Sequence, residues 1–154
     1  MVRQWHTGAN KFVPIDDALE TSFKYLYDEY KGGNTSPDVA YWLAAGYLAT
    51  GLVDAARDVC SDARRAHPDD LRLSTLDAII AYLDRDYDRS ETILRATLEK
   101  NPNDPVVGIN LAIVLEDSGD ADGARDILDR IRADHMGTPF AARADSVLAR
   151  LNNL

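Results

Sequence analysis

From Pro37 onward, strongly apolar stretches alternate with charge-rich ones at a nearly constant spacing. The stretch "PDVAYWLAAGYLATG", residues 37–51, crowds Val39, Tyr41, Trp42, Leu43, Tyr47 and Leu48 onto more than one face of a helix-length segment. A helix at a protein surface keeps one face for water, so this one has to meet apolar partners on two sides. Polar or glycine-containing turns, "ATGLVD", "DRDYDR" and "DSGDADG", interrupt the pattern midway through each stretch. The spacing predicts helix pairs at 37–50 and 53–66, 71–84 and 87–100, and 105–118 and 121–134. "TPFAARADSVLARL" adds a last helix, 139–152. Phe140, Ala144, Val147 or Leu148, and Leu151 have the spacing of its buried face, while Arg143, Asp145 and Arg150 face outward.

The pattern has a period of 34 residues. Pro68 returns as Pro102, and Pro37, Pro105 and Pro139 fall in the same series, broken only by Leu71. Ser36, Asp70, Asp104 and Thr138 precede those four positions. All four types accept hydrogen bonds from the free N–H groups that open a helix. Proline in the next place suits the first turn, where its missing N–H costs nothing. Ala44, Ala56, Ala78, Ser90, Ala112 and Ala124 are small wherever two helices of one repeat must approach closely. A single repeat cannot bury both faces of its first helix, so about three repeats with caps are required.

This arrangement resembles the tetratricopeptide repeat. Leu43, Ala44, Tyr47, Ala56, Cys60, Ala63 and Pro68 fall on the family's signature positions in the first repeat, with Ala40 where tryptophan is common. Leu111, Ala112, Leu115, Gly119, Ala124, Leu128 and Ile131 do so in the third, although Met136 replaces the proline. In the second, "DYDRSE", Ala78, Ser90, Leu94 and Pro102 fit, but Asp77 occupies a place expected to be large and apolar. Either the helix slips by one residue there or Asp77 finds a polar partner. The resemblance implies an all-α, right-handed α-solenoid. Its three repeats are 37–70, 71–104 and 105–138, in a 37–154 domain closed by the capping helix 139–152.

Residues 14–33 are expected to form an N-terminal helix, ending at Lys31 and stopped by Gly32, with Leu19, Phe23, Leu26 and Tyr30 on its apolar face. It reads as a cap over the first repeat or as a dimerisation helix. Residues 1–13, with Trp5, His6 and Phe12, read as an arm.

Charge narrows the partners. With 26 acidic against 17 basic residues the chain carries a formal charge of -9, which disfavours nucleic acid and anionic membrane surfaces. No apolar run is long enough for a membrane span or has the form of a signal peptide, so a reducing, cytoplasmic setting is expected. Cys60 is the only cysteine, which rules out an internal disulfide and a cysteine-rich metal site. His6, His67 and His135 are scattered. "SGDADGARDILD" (118–129) places Asp120, Asp122 and Gly123 as a calcium loop would, but Ser118, Arg125 and Asp129 depart from that pattern. The same residues line up with the turn of the first repeat. No cofactor and no catalysis are expected.

In the family, the first helix of each repeat lines a concave surface where ligands bind. By position that groove consists of Tyr41, Trp42, Ala45 and Leu48, then Thr75, Ile79 and Tyr82, then Ile109, Asn110, Ile113 and Glu116. Only Asn110 resembles the polar residues that relatives use to grip acidic chaperone tails. The groove reads as apolar and aromatic. The expected function is a protein–protein interaction module, an adaptor or chaperone-like protein that holds an apolar helix or extended peptide. Its size, acidity, three repeats and N-terminal helix are similar in architecture to class II chaperones of type III secretion. The alternative is a self-associating structural or assembly subunit, such as a homodimer, built on the groove or the N-terminal helix.

Overall fold

The computed structural model describes residues 17–152, with side chains from residue 21. The expected arm 1–13 and the start of the N-terminal helix lie outside the described residues. Among the described residues there are eight α-helices and no strand: α1 (Asp17–Lys31), α2 (Pro37–Ala49), α3 (Val53–Ala66), α4 (Leu71–Leu83), α5 (Tyr87–Lys100), α6 (Pro105–Ser118), α7 (Ala121–Asp134) and α8 (Pro139–Leu151). The chain divides into two compact units within α4, one ending at Leu76 and one beginning at Asp77.

The helices start where the sequence supplies a cap. The Ser36 hydroxyl accepts from the Asp38 N–H, and Asp70 accepts from Arg72 and Leu73. Asp104 accepts from Val106 and Val107, and Thr138 from Ala141. The turns inside the repeats share one geometry at the same period. Gly51, Arg85 and Gly119 have φ of 79°, 62° and 99°. The next residues, Leu52, Asp86 and Asp120, donate their N–H groups back to the carbonyls of Tyr47, Ala81 and Leu115 at 2.8–2.9 Å. This left-handed stop satisfies carbonyls that the ending helix leaves open. Asp86 and Asp120 then cap α5 and α7 through their side chains.

In the first unit α2 packs between α1 and α3. Phe23 on α1 meets Tyr47 on α2 edge to face, with ring centres 5.2 Å apart. The N-terminal helix therefore covers the first repeat. Cys60 is buried, and its thiol donates to the Leu73 carbonyl at 3.4 Å. In the second unit α5, α6, α7 and α8 pack in succession, with α6 also touching α8. Val107, Leu111, Leu115, Leu128, Val147 and Leu151 are among the core residues of that unit. All six small positions, Ala44, Ala56, Ala78, Ser90, Ala112 and Ala124, are completely buried.

Asp77 settles the register of the second repeat. The helix α4 does not slip. Asp77 is buried in the place that Leu43 and Leu111 occupy in their repeats, and Arg89 on α5 pairs with its carboxylate at 2.7 Å. Phe140 departs from expectation, since it lies exposed at the start of α8 while Ala141 joins Ala144, Val147, Leu148 and Leu151 in the core. The stripe is displaced by one residue because Phe140, in the first turn, turns its ring toward His135, 6.1 Å away. The segment 118–129 is helical from Ala121 on, with Asp120 bound to the Gly123 N–H and Asp122 to Arg125. A helix strings these carboxylates along its axis, whereas a calcium loop must wrap them around one point.

Candidate protein-binding face

The outer face of α2 carries Asp38, Tyr41, Trp42, Ala45 and Leu48. Trp42 is exposed; Tyr41, Ala45 and Leu48 are half-buried. The two aromatic rings meet edge to face at 5.1 Å. Arg72, in the first turn of α4, fixes the near end of this face. Its guanidinium lies 5.3 Å from the Tyr41 ring centre and bonds to Asp38 at 2.7 Å and Asp70 at 2.8 Å. Those hydrogen bonds raise the pKa of Arg72, and the bond from Arg72 holds the Asp70 carboxyl below its usual range. Thr75 is buried, its hydroxyl donating to the Leu71 carbonyl.

In the second unit, Ile79 and Tyr82 on α4 and Asn110 and Ile113 on α6 are half-buried, while Ile109 is buried in the core. Two polar links run from α6, one to α4 and one to the capping helix α8. The Tyr82 hydroxyl donates to Asp117 at 2.5 Å, and Arg150 on α8 donates to Glu116 at 2.8 Å through its Nε. The hydrogen bond to Asp117, with burial next, pushes the Tyr82 hydroxyl up to about 12. The C-terminal ends of α6 and α8 are therefore polar and mutually tied. Among the described residues the Asn110 amide and the Arg143 guanidinium have no partner.

The positional reading omitted three exposed side chains, Leu83, Val106 and Phe140, on α4, α6 and α8. Extending the period would have found one of them. Phe140 is Val106 one repeat later, and both stand in the first turn of their helices. The other sequence candidates pack within the fold. His67 Nε2 meets the Thr35 carbonyl at 2.5 Å, and His135 lies against Phe140.

Residues 81–151 match the tetratricopeptide repeat family. This segment is built of tetratricopeptide repeats. The match takes in the end of α4 and α5 to α8, and the helix starts, small crossings and turns of the first repeat follow the same period. Two solved structures are similar in fold, both with a TM-score of 0.52. MamA MSR-1 is 17% identical and covers 85% of this chain and 94% of its own. MamA AMB-1 is 20% identical and covers 85% of this chain and 92% of its own. No curated protein matches the chain. The repeat family matched by residues 81–151 supports a protein–protein interaction or assembly module. No helix among the described residues is long and apolar enough to cross a membrane.

Proposed function

We propose that this protein acts without catalysis, as an adaptor or chaperone-like module that binds an apolar segment of a partner on the outer faces of its first helices. One observation carries this reading. Among the described residues, six large apolar side chains are exposed; three of them, Trp42 (59%), Leu83 (48%) and Val106 (47%), lie on the first helices of the repeats, and Phe140 (38%) lies on the capping helix α8, which continues that series. None lies on the second helices α3, α5 or α7. In each unit by itself, exposed apolar side chains on this kind of helix mark an interaction surface. Aromatic anchors on such a face carry much of the binding energy. Asn110 and Arg143 add polar groups on α6 and α8 that are unpaired among the described residues, suited to the backbone and polar side chains of a bound peptide.

The test is partner capture from the native cell with the wild-type protein and with Trp42→Ser combined with Phe140→Ser. Both residues are exposed, so circular dichroism should show unchanged helix content. A captured partner should be lost with the double variant. Retention of every partner by the double variant sinks the reading. Light scattering shows whether a second copy is the ligand of this face.

A further inference from the structure

Tyr41 and Trp42 are neighbours in the chain, and side chains one residue apart on a helix point about 100° away from each other. Their rings nonetheless meet edge to face at 5.1 Å. The contact needs the Tyr41 ring to be turned toward Trp42 and held there. Trp42 is exposed, with most of its ring in solvent, so the constraint has to act through Tyr41.

Arg72 supplies that constraint. Its Nε and Nη2 grip the two carboxylate oxygens of Asp70 at 3.3 and 2.8 Å, and its Nη1 donates to Asp38 at 2.7 Å. Asp70 is itself fixed, since it caps α4 through the N–H groups of Arg72 and Leu73. Held at both ends by carboxylates, the guanidinium stands over the Tyr41 ring, 5.3 Å from its centre. Asp38, Tyr41 and Trp42 are spaced i, i+3 and i+4, on one side of α2. Two carboxylates surround one cation, so its charge is compensated before a partner arrives. Lysine has no planar fork and cannot hold two carboxylates while lying over a ring. All of these groups belong to the first unit. Val106 takes the place of Arg72 in the third repeat, so the device is particular to the α2 face.

We infer that Arg72 is a positioning residue of the α2 face: it orients the Tyr41 ring, and through it Trp42, and does not itself receive a charged group of the partner. The inference rests on the proposed binding of an apolar segment at this face, and it assigns the aromatic pair to that segment. The series Asp70, Arg72, Tyr41 and Trp42 makes the capped start of α4 a mount for an exposed ring on α2. A ring oriented in advance loses less freedom on binding.

In a Trp5→Phe background Trp42 is the only tryptophan, and the decay of its fluorescence anisotropy reports how freely its ring moves. Arg72→Ala should enlarge the fast component of that decay about twofold, and Arg72→Lys nearly as much. Ser90→Ala removes a hydrogen bond in the second unit and should leave the decay unchanged, which controls for a general loss of stability. The partner captured by the wild-type protein should bind Arg72→Ala about three- to fivefold more weakly, equally in low and high salt. An unchanged decay in Arg72→Ala overturns the inference. So does a weakening that Arg72→Lys restores or that high salt removes, because Arg72 then meets an anion of the partner directly. If the wild-type protein captures no partner, the proposed function fails and the anisotropy decay alone decides the role of Arg72.

Discussion

Gly46 on α2 lies directly under the Phe23 ring of α1. A methyl group added there would stand 2.6 Å from one ring carbon and 2.9 Å from another. Glycine within a helix costs about 1 kcal/mol relative to alanine, so its presence in α2 has a tertiary cause. It lets the N-terminal helix come close enough for Phe23 to reach Tyr47.

Gly46→Ala should therefore destabilise the otherwise wild-type protein, because overpacking costs about 1–3 kcal/mol and exceeds the gain in helix propensity. In a Phe23→Ala background the same change should stabilise, by about 0.5–1 kcal/mol. Denaturant melts of the four proteins form the cycle that measures this coupling. Stabilisation by Gly46→Ala alone would show that α1 does not dock at this position.

Arg85 occupies a left-handed turn position that Gly51 and Gly119 fill in the other repeats. A side chain there crowds its own backbone by about 1–2 kcal/mol, while glycine gives part of that back as greater freedom in the unfolded chain. Arg85→Gly should stabilise by about 0.5–1 kcal/mol, and Gly119→Ala should destabilise by about 1 kcal/mol. Thermal melting checks both signs.

The fully buried small residues at the helix crossings set a third expectation. Ala56→Leu should cost about 1–3 kcal/mol by forcing α2 and α3 apart. Arg65→Leu, at an exposed place on the same helix, should change stability by less than about 0.5 kcal/mol. Ser90 stands where Ala56 and Ala124 stand, and its hydroxyl donates to the Ala78 carbonyl at 2.8 Å. Ser90→Ala should cost only about 1 kcal/mol, because the size is kept and a single hydrogen bond is lost. Equal melting shifts for Ala56→Leu and Arg65→Leu would contradict the crossing.

Tyr30 and Tyr82 are both raised from 10 to about 12, Tyr30 first by burial and Tyr82 first by its bond to Asp117. A folded-state pKa above the unfolded one means the native protein holds more protons between those values. The stability these hydroxyls contribute is complete below about pH 10 and declines as pH rises from about 10 to 12. Tyr82→Phe should lower stability at neutral pH yet flatten the alkaline decline. It should also remove a late component from the tyrosinate absorbance titration. A titration in which every tyrosine ionises near its ordinary value would refute this.

Local features are legible in the chain itself. Ser36, Asp70, Asp104 and Thr138 open helices because a cap needs only its own side chain and the next few N–H groups. The small residues at 34-residue intervals are recognisable as crossings, since the period repeats a single packing problem. Asp77 cannot be settled in this way. Its partner Arg89 lies on the next helix, and only the folded hairpin brings the two together. Phe140 fits a buried stripe by spacing alone, yet the first turn of α8 directs it outward.

The sequence by itself determined where the helices α2 to α8 begin and end to within about a residue, because caps, prolines and left-handed stops act within a few residues. It also determined the repeat that makes neighbouring helices pack. Tertiary structure decided which apolar residues remain on the surface. Ile109 is drawn into the core, Trp42, Val106 and Phe140 stay outside, and Tyr82 is tied to Asp117. Burial depends on what the next helix brings to each side chain, and the period of one helix does not contain that information.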